Sequence, residues 1–360
     1  MQITEKAQSS RRHYDRVMYV ESILAPHGEY FGGSYFANYG YWTPETESAR
    51  ESCENLMEKL LSYLPEKKGS ILDVACGLGA TTRHLTKHFP VENITAVDIS
   101  EKNLETGRSN APGVTFLCMD ATRLEFPDSC FDAIISVEAA LHFQTREVFL
   151  REALRVLKPG GRLMVSDVLH DRWTDVVSPL LPAENHVENP DHYRKILERA
   201  GFSSVIVEDV TEQSWVRSNL NATRFICDKY TQGMIDKQTF NRLMTHRLLR
   251  LISTRYYIVA TGAKPADHAV REQIGNELGT EVDAQMLTGR AKVPPGLQVL
   301  SEHGSLAFLE IKGRYRRISR AQKGLAKVCR DTGDVEGAAR HLKLSRLYAT
   351  AARNVRSRLE

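Results

Sequence analysis

Between residues 71 and 166 the chain repeats one pattern: a short, almost wholly apolar run, a turn, then a segment with helical spacing. The runs are Ile71-Leu-Asp-Val74, a stretch ending in Val97-Asp-Ile99, and residues 114–119, 133–137 and 162–166. Runs without polar alternation belong to strands covered on both faces. Strands that alternate with helices predict an α/β fold, a doubly wound, Rossmann-like, mostly parallel sheet. Helices are expected at 45–64, 80–88 and 191–200, the last stopped by Gly201. Beyond it come a strand at 204–208 and a last strand at 255–261, expected to pair antiparallel at the sheet edge. Between these two, about residues 211–252 form an insertion. There Leu220, Phe225, Met234, Phe240, Leu243 and Leu248 recur at helical spacing, which predicts a helical cap.

The first 55 residues have another texture. Tyr30, Phe31, Tyr35, Phe36, Tyr39, Tyr41 and Trp42 are interleaved with Gly28, Gly32, Gly33 and Gly40, too broken for a regular helix. Such a segment is either a hydrophobic lid over a pocket or ordinary packing against the sheet. The expected organisation is an N-terminal lid region at 1–55, a ligand-binding domain at 56–265, and a helical, basic C-terminal extension at 266–360.

The strand ends carry the chemistry. Asp73-Val-Ala-Cys-Gly-Leu-Gly79 turns from the first strand into a helix whose amides point at a bound molecule. Gly77 and Gly79 permit close approach and positive φ. Asp98 ends the second strand, where a carboxylate can take both hydroxyls of a ribose. Asp73 would favour a cation and repel a pyrophosphate, and Thr82 stands at the third glycine position of a dinucleotide fingerprint. A nucleoside with a positive centre and no phosphate suits this pattern, which points to S-adenosyl-L-methionine. Asp120-Ala121, after the third strand, places an acid where it can accept from an adenine amino group, and Glu138 follows the fourth strand.

These residues resemble the class I S-adenosylmethionine-dependent methyltransferases over roughly residues 56–265. Asp73 to Gly79 looks like the family's first motif, with Ala75 in place of the usual first glycine. Asp98 matches the ribose acid, Asp120 the adenine acid, and Arg155 to Gly161 the motif before the fifth strand. Asn38-Tyr-Gly-Tyr-Trp42 is similar to the Gly-Tyr-Trp segment of small-molecule members. Those include natural-product sugar O-methyltransferases, sarcosine-type N-methyltransferases and tocopherol-type C-methyltransferases. The resemblance implies that Tyr41, and in second place Tyr35, closes the pocket. The implied cofactor set is Tyr41, Asp73, Ala75, Gly77, Gly79, Asp98, Ile99, Asp120, Ala121 and Glu138.

Methyl transfer from a sulfonium is an in-line displacement governed by positioning, and a base is needed only for a weakly acidic acceptor such as an alcohol. Ser136-Val-Glu-Ala-Ala-Leu-His-Phe143 resembles the Glu-x-x-His-His segment of sugar O-methyltransferases, with Leu141 replacing its first histidine. That likeness implies His142 as the base, with Asp167 as its acidic partner. The implied function is methylation of a small-molecule acceptor, most readily on oxygen, in a specialised-metabolite pathway. Alternatives are N-, C- or S-methylation, or a catalytically silent fold that docks through its tail.

Charge adds one distinction. The net charge is +3, yet residues 311–360 carry 14 Lys/Arg against 4 Asp/Glu, which leaves the rest of the chain mildly acidic. Helical runs at about 313–330 and 335–358 flank Asp331-Thr-Gly-Asp334. They predict a hairpin for docking or homodimerisation, or simply a solvated basic surface. Nucleic-acid binding is disfavoured, because no aromatic-interleaved recognition motif accompanies the charge. The six cysteines are scattered, and His170, His186 and His192 fit no standard ligand spacing, so reduced thiols and no metal are expected. Without an apolar run long enough to span a bilayer and without a secretory start, the expected location is cytoplasmic.

Overall fold

The computed structural model describes residues 22–170 and 185–266, together with Arg11, Arg12, Asp15, Met18 and Tyr19; of residues 248–253 it describes the backbone alone. The expected C-terminal helices and most of the loop after the fifth strand lie outside the described residues.

Seven strands form one sheet: β1 (Ile71–Val74), β2 (Ile94–Asp98), β3 (Thr115–Cys118), β4 (Phe131–Val137), β5 (Leu157–His170), β6 (Ser203–Asp209) and β7 (Thr254–Ala263). Their order is β3-β2-β1-β4-β5-β7-β6. Pairing is parallel from β3 to β5, and β7 runs antiparallel to both β5 and β6. The sequence reading put the last strand at the edge; β7 instead lies between β5 and β6, and β6 is the edge strand. The reason is visible in composition. Tyr257, Ile258, Val259 and Ala260 of β7 are all 0% exposed, whereas β6 alternates with half-exposed residues such as Glu208 and Ile206. The wholly apolar strand takes the doubly covered place.

Alternation sorts the strands onto two faces. Leu72, Val74, Ile134, Leu163, Val165, Ile258 and Ala260 face one layer, built on α4 (Arg146–Val156) and α5 (Pro190–Arg199). Ile71, Ala133, Ile135, Met164, Val168, Tyr257 and Val259 face the other. That second layer holds α1 (Ala49–Leu61) and α2 (Ala80–Leu85), while α3 (Glu101–Asn110) packs Leu104 against Ala96 of β2 and Phe116 of β3. In α1, Cys53, Leu56, Met57, Leu60 and Leu61 are all 0% exposed. Burying each such side chain contributes about 1.5–3 kcal/mol. Since α1 runs through residue 55, the boundary expected between 55 and 56 falls inside a helix of the core.

Local chemistry trims the expected helices. Ser48 caps α1 by accepting from Glu51 N–H at 3.1 Å, and Glu51 reaches back to Glu47 N–H at 2.8 Å, so the helix starts at 49 rather than 45. Helix α2 ends at Leu85 because Lys87 and His88 N–H bond to carbonyls three residues back. Strand β5 outgrows its expected five residues because β7 pairs with it from Arg162 to His170.

The insertion is helical as expected: a π turn (Glu212–Val216), then α6 (Arg217–Thr231) and α7 (Lys237–Ser253). Its buried face differs from the expected one. Leu220 and Met234 are 65% and 60% exposed, while Ala222 and Ile226 are fully buried. A run of apolar residues at helical spacing does not fix which way the helix turns once polar Asn219 and Arg247 bond to each other at 2.8 Å inside.

Candidate active site

The glycine elbow and the first two acids come together as expected. Asp98 Oδ2 accepts the Gly77 N–H at 2.9 Å, and Oδ1 accepts the Ser100 N–H at 2.9 Å. Asp73, 1% exposed, accepts the hydroxyls of Thr81 at 2.8 Å and Thr82 at 2.7 Å from the first turn of α2. Thr82, read in the sequence only as a departure from a dinucleotide fingerprint, thus fixes the carboxylate. Gly79 also has a packing task. Its φ is +79°, and a Cβ there would stand 2.7 Å from Gly107 Cα, so the glycine lets α3 close on α2. Ala75 takes φ +59°, where its Cβ costs about 1–2 kcal/mol.

Burial pushes the Asp73 carboxyl up to about 6, against the lowering effect of its two threonine donors. Burial also raises Asp98, opposed by the Ser100 and Gly77 amides. Among the described residues, the donors to these two acids are hydroxyls and amides. Desolvated carboxylates held in this way fit a ligand that brings positive charge, as a sulfonium with an ammonium does, better than a pyrophosphate. Asp120, two residues past β3, is partly exposed and accepts from Thr122 N–H and Oγ1 at 2.8 and 2.7 Å, with Ala121 buried beside it. Ile99 is half-buried next to Asp98.

Residues far apart in sequence build the opposite side. Glu138, at φ +53° just past β4, accepts the Tyr39 N–H and the Tyr257 hydroxyl, each at 2.6 Å. The Tyr39 ring packs edge-on against Trp215 at 4.5 Å and Tyr257 at 6.2 Å between centroids. Burial and the Glu138 carboxylate hold the Tyr257 phenol well above its usual value. Tyr39 is therefore the tyrosine of the aromatic segment that meets the strand tips. Tyr41 instead donates its N–H to Ser52 O of α1 at 2.7 Å. Gly40 makes that approach possible, since a Cβ on it would lie 2.2 Å from Ser52 Oγ. Tyr35 sits at φ +65° with its N–H on Pro26 O at 2.9 Å. Nothing in the spacing of this segment distinguishes Tyr39 from Tyr41.

The segment is stitched across the sheet. Arg83 Nη2 of α2 donates to Ser34 O at 2.7 Å, and Trp42 N–H to Gln213 O of the insertion at 2.8 Å. Tyr30 and Trp42 share an apolar cluster with Ala49 and Ala222, and Lys229 of α6 pairs with Glu29. The aromatic segment and the insertion thus pack on each other.

His142 ends a single 3-10 turn (Ala140–His142) after β4. Asp167 is not its partner. It is 0% exposed, inside β5, and its two oxygens take Arg146 Nε at 2.7 Å and Nη2 at 3.2 Å. The expectation failed because β5 runs on past residue 166, which leaves Asp167 within the strand rather than in a loop after it. Arg146 also donates to Asn185 O and to Val168 O. Asn185 Nδ2 bonds Ala140 O at 2.9 Å and Leu141 O at 3.1 Å, so this buried network holds the turn that carries His142.

Comparison with known proteins bears on the family and the fold. Residues 72–165 match the family described as "Methyltransferase domain". The chain is 32% identical over 194 residues to methyltransferase GfsG of Streptomyces halstedii, covering 49% of this chain and 69% of that relative. It is 30% identical over 202 residues to the 27-O-demethylrifamycin SV methyltransferase of Amycolatopsis mediterranei, covering 50% and 72%. The fold is shared with phosphoethanolamine N-methyltransferase 2 of Haemonchus contortus, solved with S-adenosylhomocysteine. That match has TM-score 0.57 at 19% identity and covers 73% of this chain and 61% of that one. From the glycine elbow, the strand-tip carboxylates and these likenesses it follows that the chain belongs to the class I S-adenosylmethionine-dependent methyltransferases that act on small molecules.

Proposed function

We propose that this enzyme methylates a hydroxyl oxygen of a small specialised metabolite. The observation that carries the reading is the 3-10 turn at the β4 tip, which sets His142 four residues past Glu138 and is clamped by Asn185. A rigid turn can hold an imidazole as a general base, which an alcohol acceptor needs and an amine does not. The name of the Amycolatopsis relative, a 27-O-demethylrifamycin SV methyltransferase, supports oxygen as the target.

In this proposal Asp98 takes the ribose hydroxyls, Asp73 the ammonium of the methionine moiety, and Asp120 the adenine amino group. Gly77, Ile99 and Ala121 line the cofactor's path. When bound, the cofactor supplies an activated methyl group. The protein's own share is to hold the acceptor in line, to exclude water beneath the roof of residues 29–42 and the insertion, and to take the hydroxyl proton on His142. We assign Tyr39 and Glu138 to the join between roof and strand tips. The extension at 266–360 has a docking or dimerisation role in this scheme.

The test is direct. Purified protein is incubated with methyl-labelled cofactor and a panel of hydroxylated and aminated acceptors, and products are read by mass and by the chemical shift of the new methyl. An O–CH₃ signal from the wild type, lost in His142→Ala, supports the proposal. A label found on nitrogen or carbon, or full turnover by His142→Ala, overturns it.

A further inference from the structure

Away from the strand tips, three potential metal ligands converge where α2 ends against α1. Glu58 Oε1 lies 2.7 Å from His84 Nε2 and 2.6 Å from His88 Nε2. The three ligand atoms all fall within 4.8 Å of one another. The two histidines are four residues apart, which on a helix or its last turn places them on one face. The two rings are 5.9 Å apart between centroids and inclined at 50°, so their nitrogens aim at a common point rather than stack. The second carboxylate oxygen of Glu58 is held by Lys67 Nζ at 3.0 Å, which turns the first toward the imidazoles. Burial grades outward: the side chains are 3% exposed at His84, 22% at His88 and 44% at Glu58, so an ion can enter and keep a water.

We propose that Glu58, His84 and His88 form a zinc site that ties α1 to α2. Two imidazoles and a carboxylate with one position left for water are a ligand set that zinc accepts at metal–ligand distances of about 2.0–2.2 Å. Tetrahedral geometry at those lengths separates ligand atoms by about 3.3 Å. Each contact would then open by roughly 0.7 Å, within reach of small side-chain rotations. The site's place gives it a structural task. Helix α2 follows its cap residue Gly79 and presents Thr81 and Thr82 to Asp73, while α1 carries Ser52, which receives the aromatic segment at Tyr41. A metal at the other end of α2 fastens together the two helices on which both halves of the site rest. The His84-x-x-x-His88 spacing stands in the sequence, but its third ligand lies 26 residues before His84 on another helix, and no metal was expected.

The test uses the full chain stripped with a chelator and titrated with zinc chloride alone. Wild-type protein is expected to take up a zinc equivalent that His88→Ala and Glu58→Ala do not. At hundredfold excess over Kd its thermal midpoint should rise by roughly 5 °C, and the variants should lose that shift. Retained binding of S-adenosylhomocysteine shows that the variants are folded. If either fails to fold, cobalt(II) decides: visible d–d bands typical of a four-coordinate nitrogen and oxygen site support the proposal, and a featureless spectrum counts against it. No zinc uptake, or uptake unchanged in both variants, overturns it and leaves a carboxylate shared by two imidazole N–H groups.

Discussion

The half of the site assigned above to the cofactor and the half assigned to the acceptor are built by contacts of different range. In the first, Asp73 meets Thr81 across 8 residues and Gly77 meets Asp98 across 21. In the second, Tyr39 meets Glu138 across 99 residues, Tyr257 meets Glu138 across 119, and Glu29 meets Lys229 across 200. The short contacts follow once β1, its turn and β2 have formed. The long ones exist only after the whole sheet has closed. Their energetics differ as well: among the described residues, Asp73 and Asp98 are held by hydroxyl and amide donors, whereas the buried Asp167 is paired with Arg146.

Substitutions can break this contrast, beginning with the largest expected effect. His142→Ala should lower turnover by about 10²–10⁴-fold while leaving S-adenosylhomocysteine affinity unchanged, measured by steady-state rates beside calorimetry. Equal losses in both would place His142 in the cofactor half. Arg146→Met should cost about 3–5 kcal/mol of unfolding free energy, because it strands Asp167 in the interior. A denaturation midpoint close to wild type would mean that Asp167 is not the buried charge described. Asp98→Ala should weaken cofactor binding by roughly 10–100-fold, the loss of charge-assisted hydrogen bonds to two hydroxyls, read by calorimetry.

The smallest effect is the most specific. Asp73 is raised to about 6 in the free protein, above the ordinary carboxyl of an unfolded chain. The folded form therefore binds the extra proton more readily. Through this group, stability should be greater below the ordinary carboxyl range and be lost as pH rises through about 6. A cationic ligand prefers the ionised carboxylate, so cofactor affinity should move the other way and weaken by up to about tenfold per pH unit below that value. Both trends should vanish in Asp73→Asn, read as the difference between the two proteins in thermal melts and titrations. Parallel rather than opposed trends would remove Asp73 from the ammonium.

Pattern in the sequence reached far in one half and little in the other. Apolar runs mark all seven strands, five of them in the parallel part of the sheet, and the acids at 73, 98 and 120 stand out by their places at strand ends. The positive φ at Gly79 is legible in the sequence, but its contact with Gly107 is not, because that contact depends on how α3 packs on α2. Asp167 was misplaced for a related reason: where β5 ends is set by β7, almost a hundred residues later, not by the residues around 167. Tyr39 and Tyr41 are equivalent in a glycine-broken aromatic run, and only the register of that run on α1 and β4 separates them.

What the chain determined alone is what its local physics determines: strands from period and burial, helix starts from caps such as Ser48 and Ser100, and a glycine elbow beside acids suited to a cationic nucleoside. Tertiary structure decided which tyrosine reaches Glu138, which arginine neutralises Asp167, that β7 lies inside the sheet, and that the aromatic segment and the insertion pack on each other. Those choices join segments that are independent along the chain. The free energy that selects among them is released only when both surfaces are present to be buried.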